Sequence, residues 1–326
     1  MAVAERKILI TGGAGFIGLH VARHLVDEAE VWMVDNFSRG QQDAEFDAVA
    51  NRCIKVEADL TVPGALNDLP RDFTEIIHLA AVVGVQAANT EPYRVFTTNV
   101  DSTSTVVRFA AEQTGASLLF ASTSEVYAQS AAVGLATIPT PESVPILMTD
   151  LAQYRASYSR SKVVGESLVH YAAAAFGFPA VIIRPHNIYG PRMGHAHVIP
   201  QFIDRALERM DPFPMYGGDQ VRAFCYIDDA VTAISRLLTA PMEPGQVVTV
   251  NVGNGQEPVE MAEIARRVCR IAGYEPMFVE HGAPDNSPER RQPDTTLLAE
   301  LTGFVPGVDL DEGITSTFAW YAERRA

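Results

Sequence analysis

Short apolar runs alternate with longer amphipathic stretches through the first half of the chain. Residues 7–11, 31–35, 53–57, 75–79, 117–122 and 180–184 carry strand patterns. Some are apolar almost throughout, as in Ile76-Ile77 and Val181-Ile182-Ile183. Runs of that kind suit strands covered on both faces. Residues 15–27, 99–114 and 157–176 carry helical patterns between them. Strand and helix in alternation predict an α/β fold with a parallel sheet and helices on both faces. After Arg184 the alternation breaks. Pro185, Pro191, Pro200, Pro212 and Pro214 punctuate the chain, and Gly217-Gly218 marks a turn. The pattern predicts a first domain over 1–184, with 224–250 returning to it, and a smaller domain over 185–326.

Composition narrows the classes. A chain of 326 residues, 47% hydrophobic, can bury one large or two modest cores. No apolar run reaches the roughly 18 residues of a membrane span. The chain enters its first strand pattern with no secretory leader, so no membrane or export role is expected. Three widely separated cysteines, Cys53, Cys225 and Cys269, suggest reduced thiols and a cytoplasmic setting. A net charge of −15 disfavours nucleic acid as a partner. An anionic ligand must therefore be held by local devices against the overall field. His195 and His197, or His20 and His24, lack further ligands at metal spacing, so no metal is expected.

The candidate chemistry begins at Thr11-Gly12-Gly13-Ala14-Gly15-Phe16-Ile17-Gly18. A glycine loop between a strand and a helix permits close backbone approach to a pyrophosphate at the helix N-terminus. Asp35 ends the second strand, where a carboxylate accepts from ribose hydroxyls and repels a 2′-phosphate. It favours NAD over NADP, with Arg39 nearby as the complication. Asp59-Leu60 is expected to line the adenine pocket, and small residues after the fourth strand, Leu79-Ala80-Ala81, to let backbone approach the cofactor. Tyr158 and Lys162 stand four apart on a helical pattern, hence on one face. An ammonium beside the phenol would favour phenolate and make a base.

Taken together, these stretches resemble the extended short-chain dehydrogenase/reductases that modify nucleotide sugars. The resemblance covers nearly the whole chain. It rests on TGGAGFIG, Asp35-Asn36, Asp59-Leu60, HLAA at 78–81, Asn99, Ser122-Thr123-Ser124-Glu125-Val126-Tyr127 and Tyr158-x-x-x-Lys162. It continues through RPHNIYGPR at 184–192, RAFCYIDD at 222–229 and RRQPD at 290–294. It implies a Rossmann doubly wound sheet with a smaller α/β substrate domain. It further implies NAD held by Gly12, Gly15, Phe16, Ile17, Gly18, Asp35, Asn36, Asp59, Leu60, Leu79, Ala80, Ala81, Asn99, Ser122, Tyr158, Lys162 and Pro185. Catalysis is expected from Thr123, Glu125, Tyr158 and Lys162. Ser124, Glu125, Asn187, Arg192, Arg222 and one of Arg290 and Arg291 are expected to meet the sugar nucleotide, with Val198, Ile199, Met215 and Tyr216 as weaker candidates. Two helices, 99–114 and 157–176, would form a homodimer.

Such enzymes oxidise sugar carbon 4 and then diverge. Glu125 beside Ser124 favours decarboxylation of UDP-glucuronate, as does the Pro191-Arg192-Met193 run. Ser161, His186 and Ala128 depart from that pattern, and Ser161 leans toward a 4-epimerase. A 4,6-dehydratase is the third reading. A scaffold that merely binds NAD is disfavoured because Thr123, Tyr158 and Lys162 are all present.

Overall fold

The computed structural model describes residues 6–283 and 288–325. The strands are β1 (Lys7–Thr11), β2 (Glu30–Asp35), β3 (Ile54–Glu57), β4 (Glu75–His78), β5 (Ser117–Ala121), β6 (Ala180–Pro185) and β7 (Ile188–Tyr189). There follow β8 (Phe213–Tyr216), β9 (Val221–Ala223), β10 (Cys225–Tyr226), β11 (Val247–Val252), β12 (Pro258–Glu260), β13 (Phe278–His281) and β14 (Arg290–Arg291). The helices are α1 (Phe16–Leu25), α2 (Ala44–Ala50), α3 (Val85–Thr90), α4 (Pro92–Ala111), α5 (Ala128–Ala132) and α6 (Ser157–Phe176). The rest are α7 (Val198–Leu207), α8 (Ile227–Leu238), α9 (Met261–Ile271), α10 (Thr296–Thr302) and α11 (Leu310–Glu323).

The chain divides into two compact units. One holds the described residues up to Val126, then Leu147–Arg184 and Ala233–Val250. Its seven-stranded sheet has the order β11-β6-β5-β4-β1-β2-β3, and the pairings from β3 through β6 all run parallel. Ile8, Leu9, Ile10, Ile76, Ile77, Leu118, Phe120 and Ile182 are completely or almost completely buried. Each such side chain contributes about 1.5–3 kcal/mol of burial, which is why these strands read as unbroken apolar runs. The strand order reverses between β1 and β4, and a doubly wound sheet opens its ligand crevice at the carboxyl ends of strands at that point. Thr11 and His78 are the last residues of those two strands.

Helix α4 begins at Pro92, earlier than the expected 99, because proline favours the first helical turn. Helix α6 ends where Gly177 turns left-handed at φ +82. It lies close on β5: a Cβ at Gly165 would come 2.5 Å from the Phe120 ring.

The second unit holds Tyr127–Ile146, Pro185–Thr232 and the described residues from Asn251 on. It carries small sheets only: β12-β9-β14, β10-β7 and β13-β8. Residues 225–226, expected to return to the main sheet, instead pair with β7. A two-residue apolar strand looks the same in sequence whichever sheet accepts it. Asn251 is a buried hub here. Its Oδ1 accepts from Tyr127 Oη at 2.9 Å, and its Nδ2 donates to Thr140 O and Asp294 O at 3.0 and 3.1 Å. Among the described residues no helix is long and apolar enough to cross a membrane.

Candidate active site

The glycine loop is compressed against its neighbours. Gly12 takes φ +73, and a Cβ there would lie 2.7 Å from Ala80 N; a Cβ at Gly18 would lie 2.1 Å from Gly12 O. The backbone N–H of Ala14 donates to Asp35 Oδ2 at 3.0 Å, and that of Phe37 to Asp35 Oδ1 at 2.8 Å. The carboxylate at the end of β2 thus ties the loop to the next turn. The Asp59 carboxyl is held below the usual range, chiefly by the Thr61 N–H and hydroxyl, with Asn36 adding to the effect. Exposed Arg39 reaches across to donate to Val83 O at 2.8 Å. Leu60 is buried, and Leu79, Ala80 and Ala81 follow β4 half-buried.

Asn99 and His78 set the far wall. Asn99 Oδ1 accepts the Val82 N–H at 2.7 Å, while its Nδ2 donates to Val82 O and Ser161 Oγ, both at 3.1 Å. Its amide therefore joins the loop after β4 to α6. His78 Nδ1 lies 2.7 Å from Thr11 Oγ1 and Nε2 lies 3.2 Å from Thr103 Oγ1. Thr103 donates its own proton to Asn99 O, so His78 donates from Nε2 and accepts at Nδ1. Burial pushes its pKa down to about 3, with the Lys162 charge adding to the effect, so the ring stays neutral. The whole cradle fits a dinucleotide: glycines where a side chain has no room, a helix N-terminus, and a carboxylate after β2.

The reactive side chains come from the end of β5 and from α6. The Thr123 hydroxyl, the Glu125 carboxylate and the Arg39 guanidinium all bear on the Tyr158 phenol. Burial dominates and pushes the phenol up to about 12; Thr123 and Arg39 pull it down and Glu125 pushes it further up. Lys162 behaves differently from the expectation. Its Nζ donates to Ala121 O at 2.7 Å and sits 4.9 Å from the centre of the Phe120 ring. Burial takes the ammonium down to about 7, against the opposing pull of Glu166. Four-residue spacing put both groups on one face, but the lysine's long stem turned to the buried carbonyl of Ala121. Ser124 is buried, and Ser122 donates its hydroxyl to Glu166. Sequence reasoning missed Glu166 and Arg184. The signals were a carboxylate four residues beyond Lys162 and an arginine closing an apolar strand.

In the second unit Asn187 takes φ +41 and donates Nδ2 to Ala223 O at 2.9 Å. Arg222 is buried, and its guanidinium donates to the Val221, Pro288 and Glu289 carbonyls and to Gln220 Oε1. It thereby holds residues 288–289, beside β14, against β9. Exposed Arg290 donates to Gln292 Oε1 at 3.0 Å, and Arg291 is half-buried. Arg192 is buried at φ +69. Val198 and Ile199 open α7, with Ile199 fully inside. Met215 is buried, whereas Tyr216 is half exposed and stacks on His281 with ring centres 4.9 Å apart. Pro185 closes β6. His195, one of the histidines set aside as a metal ligand, pairs with Asp204 at 2.8 Å.

The family model described as NAD dependent epimerase/dehydratase family matches residues 8–253. The UDP-N-acetyl-alpha-D-glucosaminuronate decarboxylase of Bacillus cytotoxicus is 32% identical over 329 residues, covering 98% of this chain and 98% of that protein. UDP-glucuronic acid decarboxylase 5 of Arabidopsis thaliana is 33% identical over 318 residues, 95% of this chain and 88% of that one. Among solved structures, a UDP-galactose 4-epimerase superposes with TM-score 0.81 at 29% identity, covering 98% of this chain and 99% of its own.

Proposed function

Because this chain belongs to the NAD dependent epimerase/dehydratase family and is an NAD-dependent enzyme, we propose that it decarboxylates UDP-glucuronate. The observation that carries the reading is the Thr123–Tyr158 hydroxyl pair, with the Glu125 carboxylate bearing on the same phenol. Both relatives described above are named as decarboxylases of UDP-linked uronic acids.

Gly12, Gly15, Gly18 and Asp35 would hold NAD, which would supply a reversible hydride acceptor for sugar carbon 4. Tyr158, relayed by Thr123, takes the proton of the 4-hydroxyl. Oxidation at carbon 4 makes the uronate a β-keto acid. Its carboxylate leaves as carbon dioxide, and the electron pair passes to the carbonyl as an enolate. Glu125 manages the proton that returns to carbon 5, a role supported by its bearing on the same phenol. Asn187, Arg192, Arg222 and one of Arg290 and Arg291, together with Ser124, hold the sugar nucleotide. Val198, Ile199, Met215 and Tyr216 frame its base. Lys162 grips the nicotinamide ribose.

Two further parts of the reading concern setting and assembly. Copies pair through α4 and α6, supported by Tyr93, Tyr171 and Phe176, which stand exposed on those helices. The enzyme works in the cytoplasm, in keeping with three free cysteines.

Ser161 and the epimerase superposition favour one alternative, 4-epimerisation of the same class of sugar. Incubation with UDP-glucuronate, and with its 2-acetamido counterpart, tests both. Carbon dioxide and a UDP-pentose, or its 4-keto form, are expected. UDP-galacturonate with the carbon count unchanged would replace decarboxylation by epimerisation.

A further inference from the structure

One stripe of α6 meets the end of β5 residue by residue. The Thr123 hydroxyl acts on the Tyr158 phenol and favours its ionised form. Lys162 Nζ donates to Ala121 O at 2.7 Å. Ser122 Oγ donates to Glu166 Oε1 at 2.5 Å. The three helix residues are four apart and stack on one face; their partners Thr123, Ala121 and Ser122 lie at the last residue of β5 and the two that follow it. Behind the third contact, Arg184 of β6 forks onto Glu166, Nε to Oε1 at 2.9 Å and Nη2 to Oε2 at 2.7 Å. Ser122, Glu166 and Arg184 are all buried. A buried ion pair is a weak device for stability, since apolar residues of the same volume often serve as well. Its forked geometry is what apolar residues cannot supply.

We propose that Glu166 is a positioning residue: bridged to Ser122 and backed by Arg184, it keeps β5 in register with α6 and so holds the Thr123 hydroxyl against the Tyr158 phenol. The inference rests on the proposed use of Tyr158 as proton acceptor. Ser122 adjoins Thr123, so slack at one is passed to the other. The groups acting on the phenol are Thr123 and Arg39, which favour phenolate, and Glu125, which opposes it; Lys162, one turn along, is engaged with Ala121. Of these, Thr123 is the one the bridge controls. Glu166 also bears on Lys162, so the cleanest variant keeps its charge.

Ser122→Ala removes the third rung and leaves the ion pair intact. With NAD bound, ultraviolet difference titration against the Tyr158→Phe protein is expected to give a phenol titrating about half a pH unit above the parent. Single-turnover reduction of NAD by UDP-glucuronate is expected to slow about tenfold at unchanged sugar affinity. Glu166→Gln strands the Arg184 charge and lowers the melting temperature. Adding Arg184→Met restores the melting temperature while reduction stays slow. Parental titration and rate in Ser122→Ala would overturn the proposal, as would recovery of rate together with melting temperature in the double variant. The titration needs no sugar. If the parent never reduces NAD with UDP-glucuronate but the Ser122→Ala phenol still shifts, the functional reading fails and the positioning stands.

Discussion

Lys162 points its ammonium at the carbonyl of Ala121, 2.7 Å away, under the Phe120 ring. Burial there lowers its pKa from 10.5 to about 7. Between those values the unfolded chain holds a proton that the folded one has released. Stability of the NAD-free protein from this group therefore rises with pH across that window. Thermal melts from about pH 7 to pH 9 are expected to show the rise, and Lys162→Met to flatten it. Identical slopes in the two proteins would mean the lysine is not desolvated in solution.

Tyr158→Phe keeps the ring and removes the hydroxyl that meets Thr123. Loss of a positioned proton acceptor costs about 10²–10⁴-fold in rate. Single-turnover reduction of NAD by UDP-glucuronate should fall by that factor with NAD still bound. Undiminished reduction would move the base elsewhere.

Glu125→Gln should leave oxidation at carbon 4 nearly intact and impair the steps after it. Reduced nicotinamide would then accumulate on the enzyme, visible by its absorbance, while carbon dioxide release lags. Normal release would reduce Glu125 to a packing residue.

Asp35→Ala removes the acceptor of the Ala14 and Phe37 N–H groups. NAD binding is expected to weaken about tenfold, from one charge-assisted contact, and discrimination against NADP to narrow. Calorimetric titration with both dinucleotides checks this. An unchanged ratio would assign Asp35 to the turn alone.

Gly12→Ala meets two obstacles at once, a positive φ and the Ala80 backbone at 2.7 Å. The strained backbone costs on the order of 1–3 kcal/mol. A lower melting temperature and loss of NAD binding are expected together. Loss of neither would mean that the 79–81 loop yields freely.

Much of this was legible in the chain itself. Ile76-Ile77 and Val181-Ile182-Ile183 read as buried parallel strands because both faces are covered, and they lie in the central sheet. The glycine loop was legible because only glycine tolerates those contacts. What spacing could not convey was direction. It put Lys162 on the face of Tyr158 but could not say that the ammonium would bend to Ala121 O. Arg222 reads as a ligand clamp, and its motif could not say that in the fold its donors also meet carbonyls of its own unit. Two of those carbonyls, Pro288 and Glu289, are distant in sequence, so no local pattern announces them. The Ser122–Glu166–Arg184 bridge escaped notice for the same reason, since its three members come from three separate elements.

Helix α6 can lie flat on Phe120 only because position 165 has no side chain. A single added methyl would act as a shim, prying the helix outward and opening every rung between Tyr158 and Glu166 together. The reach of the proton acceptor is thus gauged by an atom the protein does without, and drift at that position would silence the enzyme without changing a single reactive residue.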